Sequence, residues 1–262
     1  MSPVFGGVLV LLGFAGSFVS GLVGVGGAIV MIPLLLYVPP LTGVGQLDVK
    51  SVAAVTMVQV FVAALSGVVA HSRQRAVNRR LAWVGGVTMA LASLVGAVAS
   101  KYVPDRVLLI VFALMVSAAF VLMFLPEPPP DVTAPAEDKP YRAGLIALVT
   151  GFVGLAAGLV GAGGAFLLVP LLLVVVGVPI RVTIGSSLAI TALAATAGVA
   201  GKLATHQVPL LPALLVALGA VPGAQLGARV SRRLSGVALK RVLFVIITLT
   251  GVRVWWDVLF PW

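Results

Sequence analysis

The chain has no cysteine among its 262 residues. That removes disulfides, thiolate metal sites and thiol relays from consideration. Histidine is nearly absent, with two residues, and Asp and Glu together number only seven. So few ligands argue against a bound metal, and no organic cofactor is called for. The acids are Asp48, Asp105, Glu127, Asp131, Glu137, Asp138 and Asp257, all in loops or near the ends of apolar segments. No carboxylate therefore stands mid-segment as a proton relay or sodium ligand. Only 9% of residues are charged, against about a quarter in soluble domains. The N-terminus lacks the basic stretch of a signal peptide and reads as retained structure.

What is present is apolar surface. Hydrophobic residues make up 61% of the chain, more than a soluble core can use. Runs of about 20 apolar residues predict membrane-spanning helices. A membrane barrel would show short alternating segments instead. The apolar segments fall at 4–38, 49–70, 81–100, 106–125, 143–178, 182–203, 210–228 and 238–260. Residues 126–142, PEPPPDVTAPAEDKPYR, are rich in proline and acid and read as a linker. The net charge of +10 does not point to nucleic acid here. In membrane proteins Lys and Arg gather in cytoplasmic loops.

The linker divides two similar halves, 1–125 and 143–262. Residues 21–36 read GLVGVGGAIVMIPLLL and residues 158–173 read GLVGAGGAFLLVPLLL, identical at eleven of sixteen positions. SGVV at 66–69 then matches AGVA at 197–200, and GAVAS at 96–100 matches GARVS at 227–231. Three matches in order predict a duplication covering most of the chain. The first segment of each half, at about 35 residues, would be roughly 50 Å long as one helix, too long for a single crossing of a ~30 Å core. Its glycines mark a break, giving either one broken crossing or a hairpin. Three further helices complete each half.

Basic loops set the orientation. One carries Arg73, Arg75, Arg79 and Arg80; another carries Arg229, Arg232, Arg233, Lys240 and Arg241. The first follows the second segment of its half, the other follows the third. Both face the cytoplasm only if the halves are inverted. The expected architecture is an all-α polytopic membrane protein of two inverted-topology repeats, with both termini outside.

In inverted-repeat transporters the substrate sits near the midplane, where broken helices meet. Glycines allow a sharp turn and a close approach to a ligand. The following half-helix then presents bare N–H groups and a positive dipole end to an anion. Gly24, Gly26, Gly27 and Ala28, with Gly161, Gly163, Gly164 and Ala165, are the candidate cradles. The half-helices should start near Ala28 and Ala165, with Pro33 and Pro170 bending or ending them. The competing reading is that these glycines serve only helix packing. Polar side chains inside apolar segments add Thr56 and Gln59, and Ser186, Ser187 and Thr191 in the equivalent segment of the second half. Gln225 could reach the site from the inner side. Lys202 and His71, equivalent in the two halves, are expected to snorkel to the interface. Trp255, Trp256 and Trp262 suggest an interfacial belt.

The repeated GLVGxGGxxxxxPLLL resembles the TauE/SafE sulfite exporter family of membrane transporters, over nearly the whole chain. The resemblance implies a non-enzymatic transporter in a bacterial cell membrane. It would export a small anion, sulfite or an organosulfonate such as sulfoacetate, or else take up a related sulfur-containing or carboxylate anion. The missing cysteines set the chain apart from thiosulfate transporters that use cysteine contacts. The expected partners are that anion and the lipid bilayer. A homodimer is compatible with the sequence and nucleic acid is not expected.

Overall fold

A computed structural model describes residues 2–23, 27–71, 78–125, 141–231, 233–234 and 236–260. Gly24 and Gly26, the Arg73 and Arg75 stretch, Arg232, Trp262 and nearly all of the linker lie outside them. So does the side chain of His71. Every element described is a helix. The first half holds α1 (Pro3–Val23), α2 (Ala28–Leu41), α3 (Val49–His71), α4 (Arg79–Ala99) and α5 (Asp105–Leu122). The second holds α6 (Ala143–Val160), α7 (Ala165–Val174), α8 (Ile180–Ala204), α9 (Leu210–Ser231) and α10 (Gly236–Leu259). Helices satisfy their own backbone groups, as an apolar solvent requires. Seven of them, α1, α3, α4, α5, α6, α8 and α9, are long and apolar enough to cross a membrane.

The overlong first segments are hairpins. α1 runs 21 residues, enough to cross alone, whereas α2 has 14 and α7 has 10. At 1.5 Å per residue these short helices reach only about 21 and 15 Å. The chain doubles back at the glycines. A Cβ on Gly27 would meet Gly16 and Ser20, and one on Gly45 would touch the Phe5 ring at 3.3 Å. α2 therefore returns towards the start of α1. Gly164 lies against Val153 and Ala157 of α6 in the same way. Pro33 and Pro170 sit inside α2 and α7 and end neither.

The halves are interlaced. α1 packs along α9, and α6 packs along α4. Within each pair the chains run in the same sense: Gly13 faces Val216 and Gly21 faces Ala224, while Gly154 faces Met89 and Gly158 faces Ser93. α3 and α8 cross at the centre. The start of α4 meets the start of α8, where Ser186 Oγ accepts from the Asn78 amide at 3.2 Å. At the other end Lys202, on the last turn of α8, reaches Ser100 at the end of α4. Lys50, at the start of α3, donates to the neighbouring Lys101 carbonyl at 2.9 Å.

Small residues make the interlacing possible. Lipid supplies no hydrophobic drive between helices, so close backbone approach must hold them. A Cβ on Gly219 would fall 2.0 Å from the Val10 carbonyl oxygen, and one on Gly227 2.0 Å from that of Phe18. In the other pair, Gly96 and Gly158 would each bring a Cβ to 2.2 Å from a carbonyl of the facing helix, Leu155 and Ser93. Such contacts suit Cα–H···O interactions.

Gly219→Ala should force α1 and α9 apart. The expected cost is about 1–3 kcal/mol, the usual range for overpacking, seen as a lower unfolding midpoint in detergent. Gly7→Ala, inside α1 with nothing within 4 Å of its Cβ, should leave that midpoint unchanged or raise it, since alanine is the better helix former.

Candidate functional site

Both glycine motifs end in the same device. Gly27 (φ 68°) precedes α2 and Gly164 (φ 71°) precedes α7, each in the left-handed region, and neither helix has a side-chain cap. The first turns close back on Gly27 and Gly164 through the amides of Val30 and Met31 and of Leu167 and Leu168. The amides before them, on Ala28 and Ile29 and on Ala165 and Phe166, find no acceptor among the described residues. All four residues are buried. A helix that starts inside protein with bare N–H groups presents donors and a positive dipole end, which favour negative charge.

The described glycines around these starts leave no room for a side chain. Gly161 and Gly163 also have positive φ, 76° and 62°. A Cβ on Gly163 would lie 2.3 Å from Val60 Cγ1, and one on Gly161 1.8 Å from the Ala53 carbonyl oxygen. The second-half loop thus presses its backbone onto α3. The first-half turn meets the same stretch of α3, since a Cβ on Gly27 would stand 3.1 Å from Gln59 Nε2. Gln59 and Val60 are consecutive, so both breaks converge on one turn of the crossing helix.

That turn is polar and incompletely paired. Thr56 and Gln59 are fully buried. Gln59 Nε2 donates to Ser17 Oγ at 2.7 Å, while its Oε1 has no partner. Thr56 Oγ1 has none, and neither has Thr191 Oγ1 on α8. A buried polar atom without a partner costs about 1–3 kcal/mol, and α3 and α8 carry three of them: two hydroxyls and one amide oxygen. Orphaned Ser93 Oγ lies one helix away on α4, beside Gly198 of α8.

The other expected residues fare differently. Ser186 is buried but committed to the Asn78 amide, and the Asn78 side chain caps α4 through the Leu81 amide at 2.9 Å. Its hydroxyl fixes the start of α4. Ser187 is buried on the same turn of α8. Gln225 lies on the exposed side of α9, because Gly223, Ala224, Gly227 and Ala228 take the packed side. It does not reach the crossing. Lys202 does not snorkel: it is 0% exposed and donates to Ser100 Oγ at 2.7 Å. Trp255 donates to Ser117 Oγ at 2.8 Å, while Trp256 is exposed.

Sequence reasoning missed Ser17, Ser20 and Ser93. The first two carried a legible signal. They are polar in the first glycine copy, where the second copy has Gly154 and Ala157. Among the described residues no cluster of three or more His, Cys, Asp or Glu could hold a metal.

The family model for the sulfite exporter TauE/SafE matches residues 9–254. The chain belongs to this family. Among curated relatives, the TauE/SafE chain is 26% identical over 271 residues to the probable membrane transporter protein YunE of Bacillus subtilis, covering 97% of this chain and 98% of the relative. A probable membrane transporter protein of Xylella fastidiosa (strain Temecula1) is 29% identical over 263 residues, 95% of each chain. One from Methanocaldococcus jannaschii is 22% identical over 258 residues, 93% of each. No solved structure matches the chain. A TauE/SafE protein with seven such helices and these relatives is a multi-pass membrane protein of the transporter class.

Since Thr56 and Thr191 hydroxyls serve no protein partner, Thr56→Val and Thr191→Val should leave the unfolding midpoint of the ligand-free protein unchanged or raise it. A loss above about 1 kcal/mol in either would mean the hydroxyl supports the fold through a hydrogen bond.

Proposed function

We propose that this protein exports a small oxyanion, sulfite or an organosulfonate such as sulfoacetate, across a bacterial cell membrane. The observation that carries the reading is the pair of buried, uncapped helix starts at Ala28 and Ala165. The anion would take the bare amides of α2 and α7, with the Thr56 and Thr191 hydroxyls and the second N–H of Gln59 Nε2 supplying further donors. Gly24 and Gly26 would complete the first cradle as Gly161 and Gly163 do the second. Ser187 would face the anion as the second-half equivalent of Thr56.

The halves are read as inverted repeats. Support comes from the sense of pairing: α6 runs with α4, and the end of α8 meets the start of α3. Followed through the helices, one end of the bundle then receives Arg79, Arg80, Arg142, Arg229, Arg233 and Arg241. The opposite end has Lys50, Lys101, Arg106, Lys202 and Arg253. The positive-inside rule puts the arginine-rich end in the cytoplasm and both termini outside. The α2 and α7 dipoles then meet the anion from opposite sides.

Export of one negative charge gains about 2.3 kcal/mol per 100 mV of inside-negative potential. No coupled ion is required, which agrees with the lack of a mid-segment carboxylate.

In proteoliposomes loaded with sulfite, efflux should rise with inside-negative potential at fixed pH. Efflux that follows the pH gradient and ignores voltage would contradict this. Gln59→Leu should weaken sulfite binding. A hydrogen bond to a charged group is worth about 1.5–3 kcal/mol, or roughly ten- to hundredfold in affinity. A thermal-shift series with sulfite, sulfoacetate, acetate and lactate reads the substrate class. Stabilisation by the carboxylates alone would move the substrate away from sulfur anions.

A further inference from the structure

Among the described residues Lys202 is the one charged side chain that is fully buried, and no described group of opposite sign pairs with it. Its Nζ donates to Ser100 Oγ at 2.7 Å and more weakly to Gln207 Oε1 at 3.4 Å. Both are neutral acceptors. An ammonium can donate three hydrogen bonds. No carboxylate of a described residue forms an ion pair with it. A charge close by has the same sign: Lys50 Nζ holds the carbonyl of Lys101, the residue after Ser100. Asp48 is turned to the Ser51 amide at 3.3 Å, at the start of its own helix. A buried charge left uncompensated is strongly destabilising, so such groups are ordinarily paired. Two ammonium groups flanking one turn make the absence of a partner more costly still.

The position of Lys202 connects it to the crossing. Thr191, Gly198 and Lys202 are seven and then four residues apart, so they share one face of α8 over three turns, about 16 Å. Ser93 and Ser100 are likewise seven apart on the facing side of α4. A Cβ on Gly198 would stand 2.8 Å from Ser93 Oγ and 2.6 Å from Met57 Cε. The order along this seam is unpartnered Thr191 Oγ1, unpartnered Ser93 Oγ beside a glycine, then the ionically unpaired Lys202. Two unpartnered hydroxyls and an ionically unpaired lysine follow one another along this seam towards the end of the bundle.

The geometry points to a second oxyanion site at Lys202, with Lys50, Ser100 and Gln207 around it, reached from the central site along the α4–α8 seam past Ser93. In the orientation given above it is the outer, exit-side station. It rests on the anion reading of the central site. A small oxyanion supplies the missing negative charge. Ser100 and Gln207 hold the ammonium ready for it, and Ser93 offers a hydroxyl midway. Neither group need be replaced for an anion to pass, because the hydroxyl can turn.

Calorimetric titration of the purified protein with sulfite tests this, in lipid-free detergent so that no lipid headgroup can fill the site. Wild type should show two saturating phases. Lys202→Met should remove one, at least tenfold in affinity, and keep the other, with the ligand-free unfolding midpoint unchanged or raised. Lys202→Arg should keep both. Gln59→Leu should weaken the phase that Lys202→Met spares. Lys50→Met, which alters a partly exposed residue, should weaken the Lys202 phase severalfold, and it decides the matter if Lys202→Met fails to fold. A single phase in wild type that neither lysine variant alters would overturn the second site and leave the central one standing. No sulfite binding by wild type would overturn both.

Discussion

A helix that begins inside an apolar interior leaves its first N–H groups without partners, and no water is there to answer them. This chain does so twice, at Ala28 and Ala165. The remaining structure can be understood as what it takes to keep those two starts in place. Left-handed glycines turn the chain so that each half-helix folds back beside the helix before it. α3 then lays Gln59 against the first turn and Ala53 and Val60 against the second. The cost of bare amides and orphaned hydroxyls fits the proposed task, binding an anion at the helix starts and letting it go.

The frame that bears this cost is built from close backbone contact. α1 with α9, and α4 with α6, approach until glycine hydrogens touch carbonyl oxygens. These pairs join one half to the other, so neither half packs alone. The fifth helix of each half reaches across as well. Phe112 of α5 meets Phe166 of α7 edge-on, with ring centroids 6.3 Å apart. Thr250 of α10 donates to the Ile29 carbonyl at 3.1 Å, and Asp257 accepts from Tyr37 and pairs with Arg253. Each half-helix is thus held by the opposite half, at its start and, for α2, near its end. A shift of one half against the other would move the half-helices relative to α3, which is what alternating access requires.

Much of this was legible in the sequence. The all-helical membrane class followed from composition, and the starts of α2 and α7 followed from the repeated motif to the residue. Thr56, Gln59 and Thr191 stood out as polar groups in apolar runs, and the structure buries each with an unpartnered side-chain atom. What was not legible depended on rotation about a helix axis. Gln225 lies two residues from Gly223 and Gly227, which faces it away from the packed stripe, and nothing near it in sequence says which side is packed. Lys202 looked like a snorkelling residue because it ends a segment; its neighbour Ser100 is 102 residues away. The choice between hairpin and broken crossing also rested on a long-range contact, Gly45 against Phe5. Ser93 has no polar counterpart in the second half and no partner in sequence.

The most direct test of the central claim uses selenite, which has the shape and charge type of sulfite and an anomalous scatterer at its centre. Its position should be located in crystals of the protein grown with the anion. The account predicts a selenium peak where the starts of α2 and α7 converge on Thr56 and Gln59, within hydrogen-bonding reach of the Ala28 and Ala165 amides. Selenium bound elsewhere in the bundle, with both helix starts empty, would contradict it and return the glycines to a purely packing role.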